Sequence, residues 1–204
     1  MMITRRALLA TGLALPLLPS VSFAGTEPDW TAKLLRAARA QIGVTTSYDP
    51  AYVTLDYPGG DISRETGVCT DVIIRAYRDA FEVDLQALVH TDMKANFASY
   101  PKTWGLTRAD RNIDHRRVPN LETWLHRQGA ALARSDDPAD YRPGDIVSWR
   151  LPGGLPHIGI VSDRRVDGRP LILHNIGAGT REEDILFAYP VEGRFRWLPT
   201  ALGD

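Results

Sequence analysis

The chain holds one cysteine and five histidines among 204 residues, and the setting of that cysteine suits a nucleophile. Cys69 lies in Glu65-Thr66-Gly67-Val68-Cys69-Thr70-Asp71-Val72-Ile73-Ile74, just after a glycine and at the first turn of a predicted helix. Backbone N–H groups at a helix N-terminus lack intrahelical acceptors and carry partial positive charge. A thiol there is expected to ionise more easily, and the thiolate is the attacking species. The same groups, the Cys69 N–H among them, are placed to hold the oxyanion of an acyl-transfer intermediate. The competing reading is an inert cysteine that packs as a small hydrophobe.

A catalytic thiol needs a base, usually histidine, and a polar group to orient it. His157 opens the strand-like run His157-Ile158-Gly159-Ile160-Val161, and His174 and Asn175 close the next one, Leu171-Ile172-Leu173-His174-Asn175. A hairpin turning at Asp167-Gly168 sets Val161 opposite His174. His157, Gly159, Val161 and His174 then share one face, and Asn175 points the other way. In that register the two histidines stand roughly 13 Å apart, so a bulge, strong twist or different register must bring them together. A one-residue bulge would also exchange the facing of His174 and Asn175. His174 is the favoured orienter and Asn175 the alternative. His90 and His126 read as solvated. No His or Cys spacing groups the ligands of a zinc site, and no cofactor is implied.

The elements that must position these residues follow from periodicity. A helix is expected from near Pro28, capped by Thr26, with Trp30, Leu34, Ala38 and Ile42 on one face and Gly43 as its stop. A loop covers 45–67. Helices follow from Val68 (Val72, Ile73, Ala76, Tyr77 and Ala80 on one face), over 85–97 and over 119–128, with an irregular stretch at 101–117. After Pro138 come β-favouring runs at 145–149, 157–162, 170–175 and 195–198, parted by turns. Helices first and strands afterwards argue for an α+β fold, N-terminal helices packed on a C-terminal antiparallel sheet, in a single domain over 25–204.

Residues 1–24 read as an export signal: Arg5-Arg6, an apolar run broken by Pro16 and Pro19, and Ser22-Phe23-Ala24 before the cleavage point. Thr4-Arg5-Arg6-Ala7-Leu8-Leu9 partly matches a twin-arginine signal. The run is too short and too proline-broken for a stable span of about 20 residues. Its removal takes the formal charge from −1 to −3 and implies a periplasmic or secreted protein. Among 24 basic residues only Lys33, Lys94 and Lys102 are lysines, yet 25 acidic residues offset them and no basic stripe exists, which argues against nucleic acid.

Three pieces in order resemble the NlpC/p60 group of papain-like cysteine peptidases: Gly67-Val68-Cys69-Thr70-Asp71, Pro143-Gly144-Asp145-Ile146-Val147 and His157-Ile158-Gly159-Ile160-Val161, with a polar strand end at His174. Cys before His is that group's order; its permuted lipid acyltransferase relatives place His first. The chain also resembles, nearly end to end, a family of exported bacterial proteins described as a domain of unknown function, through 67–77, 92–97, 110–119 and 174–177.

The resemblance implies a papain-like NlpC/p60 core and hydrolysis of an amide bond in peptidoglycan stem peptides. Cys69 is then the nucleophile, His157 the base and His174 the orienter. Val68-Cys69-Thr70 stands where the group often has Asp-Cys-Ser. Tyr57 is the nearest counterpart of the group's substrate-binding tyrosine. Asp71, Arg111, His115, Arg116 and Asn175 are further candidate substrate contacts, and Arg111, Arg116 or Arg117 suit stem-peptide carboxylates, since Arg matches a carboxylate with two hydrogen bonds. The alternatives are an acyl or thioester hydrolase or transferase with the same dyad, and a non-catalytic wall- or partner-binding module. No protein partner is indicated.

Overall fold

The computed structural model describes residues 29–199; the expected export signal and the Thr26 cap lie outside them. Helix α1 (Asp29–Arg39) buries Leu34, Leu35 and Ala38. It stops short of Ile42, which lies beyond the last turn and is exposed, so the apolar stripe ends one turn earlier than its spacing predicts.

Segment 45–67 is less of a loop than its composition suggests. Two short strands, β1 (Ser47–Tyr48) and β2 (Thr66–Gly67), pair in parallel within it. Arg75 clamps the segment to the next helix: its fully buried guanidinium bonds Asp61, the Thr66 carbonyl and the Thr45 hydroxyl. That helix, α2 (Cys69–Phe81), is buried at every position from Cys69 to Tyr77 rather than along one face, because it runs between the other helices and the sheet. Helices α3 (Leu85–Ala95) and α4 (Val118–Arg127) follow, with two 3-10 turns, Phe97–Ser99 and Asp114–Arg116, between them.

The rest is an antiparallel sheet of β3 (Ile146–Arg150), β4 (Pro156–Val166), β5 (Arg169–Asn175), β6 (Thr180–Glu183) and β7 (Val191–Phe195), in the order β6-β5-β4-β3-β7. The architecture is the expected α+β one, helices against a C-terminal antiparallel sheet. Two details differ. Strand β6 reads as loop because Thr-Arg-Glu-Glu has no apolar alternation. The last strand lies at 191–195 instead of 195–198, with Val191, Gly193 and Phe195 alternating with the polar Glu192 and Arg194 that an edge strand tolerates. Asp145, just ahead of β3, is fully buried and tied to Arg194 and Arg196, which fastens the sheet's far edge.

The two faces of the sheet carry different cores. Ile146, Ile158, Ile160, Leu173 and Phe195 pack under the helices. Val147, Trp149, Val161 and Ile172 pack on the opposite side with Tyr141 and Leu186.

The β4–β5 hairpin turns at Asp167 and Gly168, both at positive φ (48° and 80°). Val166 pairs with Arg169 and Arg165 with Pro170, as the turn dictates, but further on Val161 pairs with Ile172 and Ile160 with Leu173. Strand β4 thus carries two extra residues. Ser162 holds them: its Oγ accepts the Arg164 N–H at 2.9 Å and the Arg39 guanidinium at 3.1 Å, and donates to Glu182. Because the insertion is two residues and not one, side-chain facing is preserved across it.

Candidate active site

Cys69 is the first residue of α2 and lines a cleft of about 550 Å³ together with His157, Tyr48, Trp104, Arg117 and Leu155. The thiol is 3% exposed. The N–H groups of Ile158 and Thr70 and the Tyr48 hydroxyl approach its sulfur, so the thiol meets β4 one residue from His157.

The two-residue bulge brings the histidines together. His157 Nε2 lies 3.1 Å from His174 Nδ1, and His174 Nε2 lies 3.1 Å from Glu183 Oε2. Glu183 pairs with Ile172 across the ladder, which makes it a diagonal neighbour of His174 on the same face. Trp149 stacks on the His157 ring, with 5.7 Å between centroids. This chain of contacts assigns tautomers. A carboxylate only accepts, so His174 carries its proton on Nε2 and accepts on Nδ1. His157 therefore donates from Nε2 and keeps Nδ1 as a bare lone pair.

Burial dominates the electrostatics. It pushes the Cys69 thiol up to about 12, against the stabilising N–H groups and the Tyr48 hydroxyl. It also pushes His157 down to about 3, with His174 adding to the effect. His174 is lowered by burial and partly restored by Glu183. The resting site therefore holds a neutral thiol and a neutral imidazole. The expected lowering of the thiol by the helix terminus is overturned, because desolvation of a fully enclosed sulfur outweighs the field of one helix end.

Asn175 faces away from His174, toward α2. Its amide donates to the carbonyls of Ser47 and Gly67 and accepts the Gly177 N–H, which fixes the approach to Cys69. Asp71 does not face the cleft. Its buried carboxylate takes the Val68 N–H at 2.7 Å and two hydrogen bonds from Arg116 at 3.0 and 3.1 Å. Arg116 edges the cleft, but it also donates to the carbonyls of Asp49 and Ala51. Both residues hold the Tyr48 loop against α2; Asp71, which does not line the cleft, is thereby corrected as a substrate contact, whereas Arg116 stays at the cleft edge.

The remaining candidates lie elsewhere. Tyr57 packs edge-on to His90 with Arg111 over its ring, so Tyr48 occupies the place sought for a tyrosine beside the thiol. Arg111 lines a separate hollow with His90 and Lys94. His115 is 2% exposed, outside the cleft, with Nδ1 unpartnered; burial drives it down to about 3. His90, read as solvated, is bound to the buried Asp114 at 3.0 Å, whereas His126 is exposed. No group of three or more His, Cys, Asp or Glu converges to hold a metal among the described residues.

Sequence signals for Tyr48 and Glu183 are faint. Each sits on a strand of two to four residues whose existence depends on a distant partner.

The family model for a domain of unknown function, DUF1287, matches residues 35–197. The chain belongs to the DUF1287 family. A relative from Escherichia coli (strain K12), "Uncharacterized protein YijF", is 60% identical over 162 residues, 79% of this chain and 78% of that one. Among solved structures, NlpC1 from Trichomonas vaginalis is similar at a TM-score of 0.42 and 15% identity, over 85% of this chain and 46% of that chain. An N-acetylmuramoyl-L-alanine amidase from Bacteroides uniformis is similar at 0.47 and 12% identity, over 82% and 99%.

Proposed function

We propose that this DUF1287 protein is an exported cysteine hydrolase that cleaves an amide bond in peptidoglycan stem peptides. The observation that carries the reading is the ordered line Glu183–His174–His157 ending in the cleft that Cys69 lines. A base with one nitrogen tethered and the other bare has the form that nucleophilic catalysis by a thiol requires. The substrate class rests on the resemblance of residues 67–71, 143–147 and 157–161 to the NlpC/p60 group.

The chemistry follows from the neutral resting pair. As Cys69 Sγ attacks the amide carbonyl, the thiol proton passes to His157 Nδ1, without a preformed ion pair. First-turn N–H groups of α2 face the developing oxyanion. The imidazolium, steadied by His174 and the Glu183 carboxylate, protonates the leaving amine. Water then adds to the thioester, giving its proton to His157, and the acid product and free thiol are released.

The test is digestion of purified peptidoglycan with fragments weighed by mass spectrometry. Wild type releases stem-peptide fragments, and Cys69→Ala falls to background. Equal release by both proteins would sink the reading.

A further inference from the structure

Two adjacent arginines meet the cleft in opposite conditions. Arg116 is saturated by Asp71 and two carbonyls. Arg117 lines the cleft with its guanidinium over the Trp104 ring, 4.2 Å from the centroid, and its Nη1 is buried with no hydrogen-bond partner. Among the described residues no carboxylate lies within ion-pair distance of it. Asp110 and Asp114 act on it only from afar. The first is engaged by the Tyr52 hydroxyl and the Asn112 N–H, the second by His90 and the Asp110 N–H.

We infer that Arg117 is the binding group for a carboxylate of the substrate, held in the same cleft as Cys69 and His157. This rests on the hydrolase reading of that cleft and adds the charge its substrate must carry. Arg117 is half-buried in the cleft wall with no carboxylate beside it, and a carboxylate bound in the cleft supplies the counter-charge its guanidinium lacks. Trp104 fixes the plane of the fork, as cation–π stacking does, and a planar fork matches two carboxylate oxygens at once. Val68, Val118 and Leu155 line the cleft with apolar surface, which strengthens such a pair by excluding water. Stem peptides offer carboxylates on either side of their amide bonds, so one of them meets Arg117 while a neighbouring carbonyl meets Cys69.

Calorimetric titration of the full chain carrying Cys69→Ala tests this without turnover. The probes are the tetrapeptide L-alanyl-γ-D-glutamyl-diaminopimelyl-D-alanine and its forms with one carboxylate at a time converted to carboxamide. One carboxamide form is expected to bind roughly ten- to a hundredfold more weakly than the parent. Adding Arg117→Gln brings the parent down to that level and abolishes discrimination within the pair. Arg117→Lys, which keeps the charge and the stem, retains part of it. Undiminished discrimination in Arg117→Gln, equal weakening of acid and amide forms, or no binding of the parent at millimolar concentration overturns the inference. Wall-fragment release that depends on Cys69 would leave the hydrolase reading standing in each of those cases.

Discussion

His174 lies against Gly159 across the β4–β5 ladder: a Cβ built on that glycine would sit 3.1 Å from His174 Cβ. The same atom would come within 2.6 Å of Ile172 Cγ2 and 3.0 Å of the Leu173 carbonyl. The bare backbone at 159 is what lets β5 approach closely enough for the two imidazoles to touch.

Gly159→Ala should therefore push β5 outward. Overpacking of this kind costs about 1–3 kcal/mol, read as a lower urea midpoint. Hydrolysis should fall further than the folded fraction explains, since the displaced strand carries His174. A variant with native midpoint and native rate would show that the close approach is not needed.

Glu183 touches His174 and not the cleft, so under the proposed hydrolase its removal should separate chemistry from stability. Glu183 is 38% exposed, so Glu183→Ala is expected to leave the melting temperature within a degree or two. The tautomer of His174 is then no longer imposed, and kcat should drop roughly tenfold or more with KM little changed. The Glu183 charge raises the His174 pKa, so the acid limb of the rate profile should move to lower pH. A drop in Tm that matches the loss of rate would reduce Glu183 to a structural group.

Stability should fall on both sides of neutrality for identifiable reasons. His157 and His115 are driven by burial from 6.5 to about 3 in the folded chain, so the unfolded chain binds more protons between those values. Their contribution is complete above pH 6.5 and is lost as the pH drops toward 3. Cys69 is raised from 9.0 to about 12, so the folded chain holds the extra proton, and stability is lost as the pH climbs from 9 toward 12. Urea titrations of wild type and Cys69→Ala check the alkaline arm: the variant should lose that part of the slope. Alkylation of Cys69 should likewise rise steadily with pH and show no midpoint below 7.

What the sequence made legible is local. Cys69 at a helix start, His157 at a strand start and the Asp167-Gly168 turn each follow from neighbours a few residues away. The bulge does not, because it is held by Arg39 on α1 and Glu182 on β6, 123 and 20 residues from Ser162. Tyr48 is hidden for the same reason: the strand that places it exists only through pairing with Thr66-Gly67. The state of the thiol is not legible locally, because burial, which outweighs the helix terminus, is a tertiary property. Asp71 and Arg116 carry charges that the fold matches to each other, a pairing across 45 residues that no local pattern announces.

The enclosure of Cys69 also bears on how long the protein stays in working order. Oxidants attack the thiolate, and the ladder from sulfenic to sulfonic acid begins there. A sulfur kept protonated beneath Tyr48, in a chain with no second cysteine to pair with, enters that ladder slowly. The burial that keeps the thiol protonated thus also acts as a preservative, protecting a reduced sulfur wherever the protein meets oxygen and peroxide.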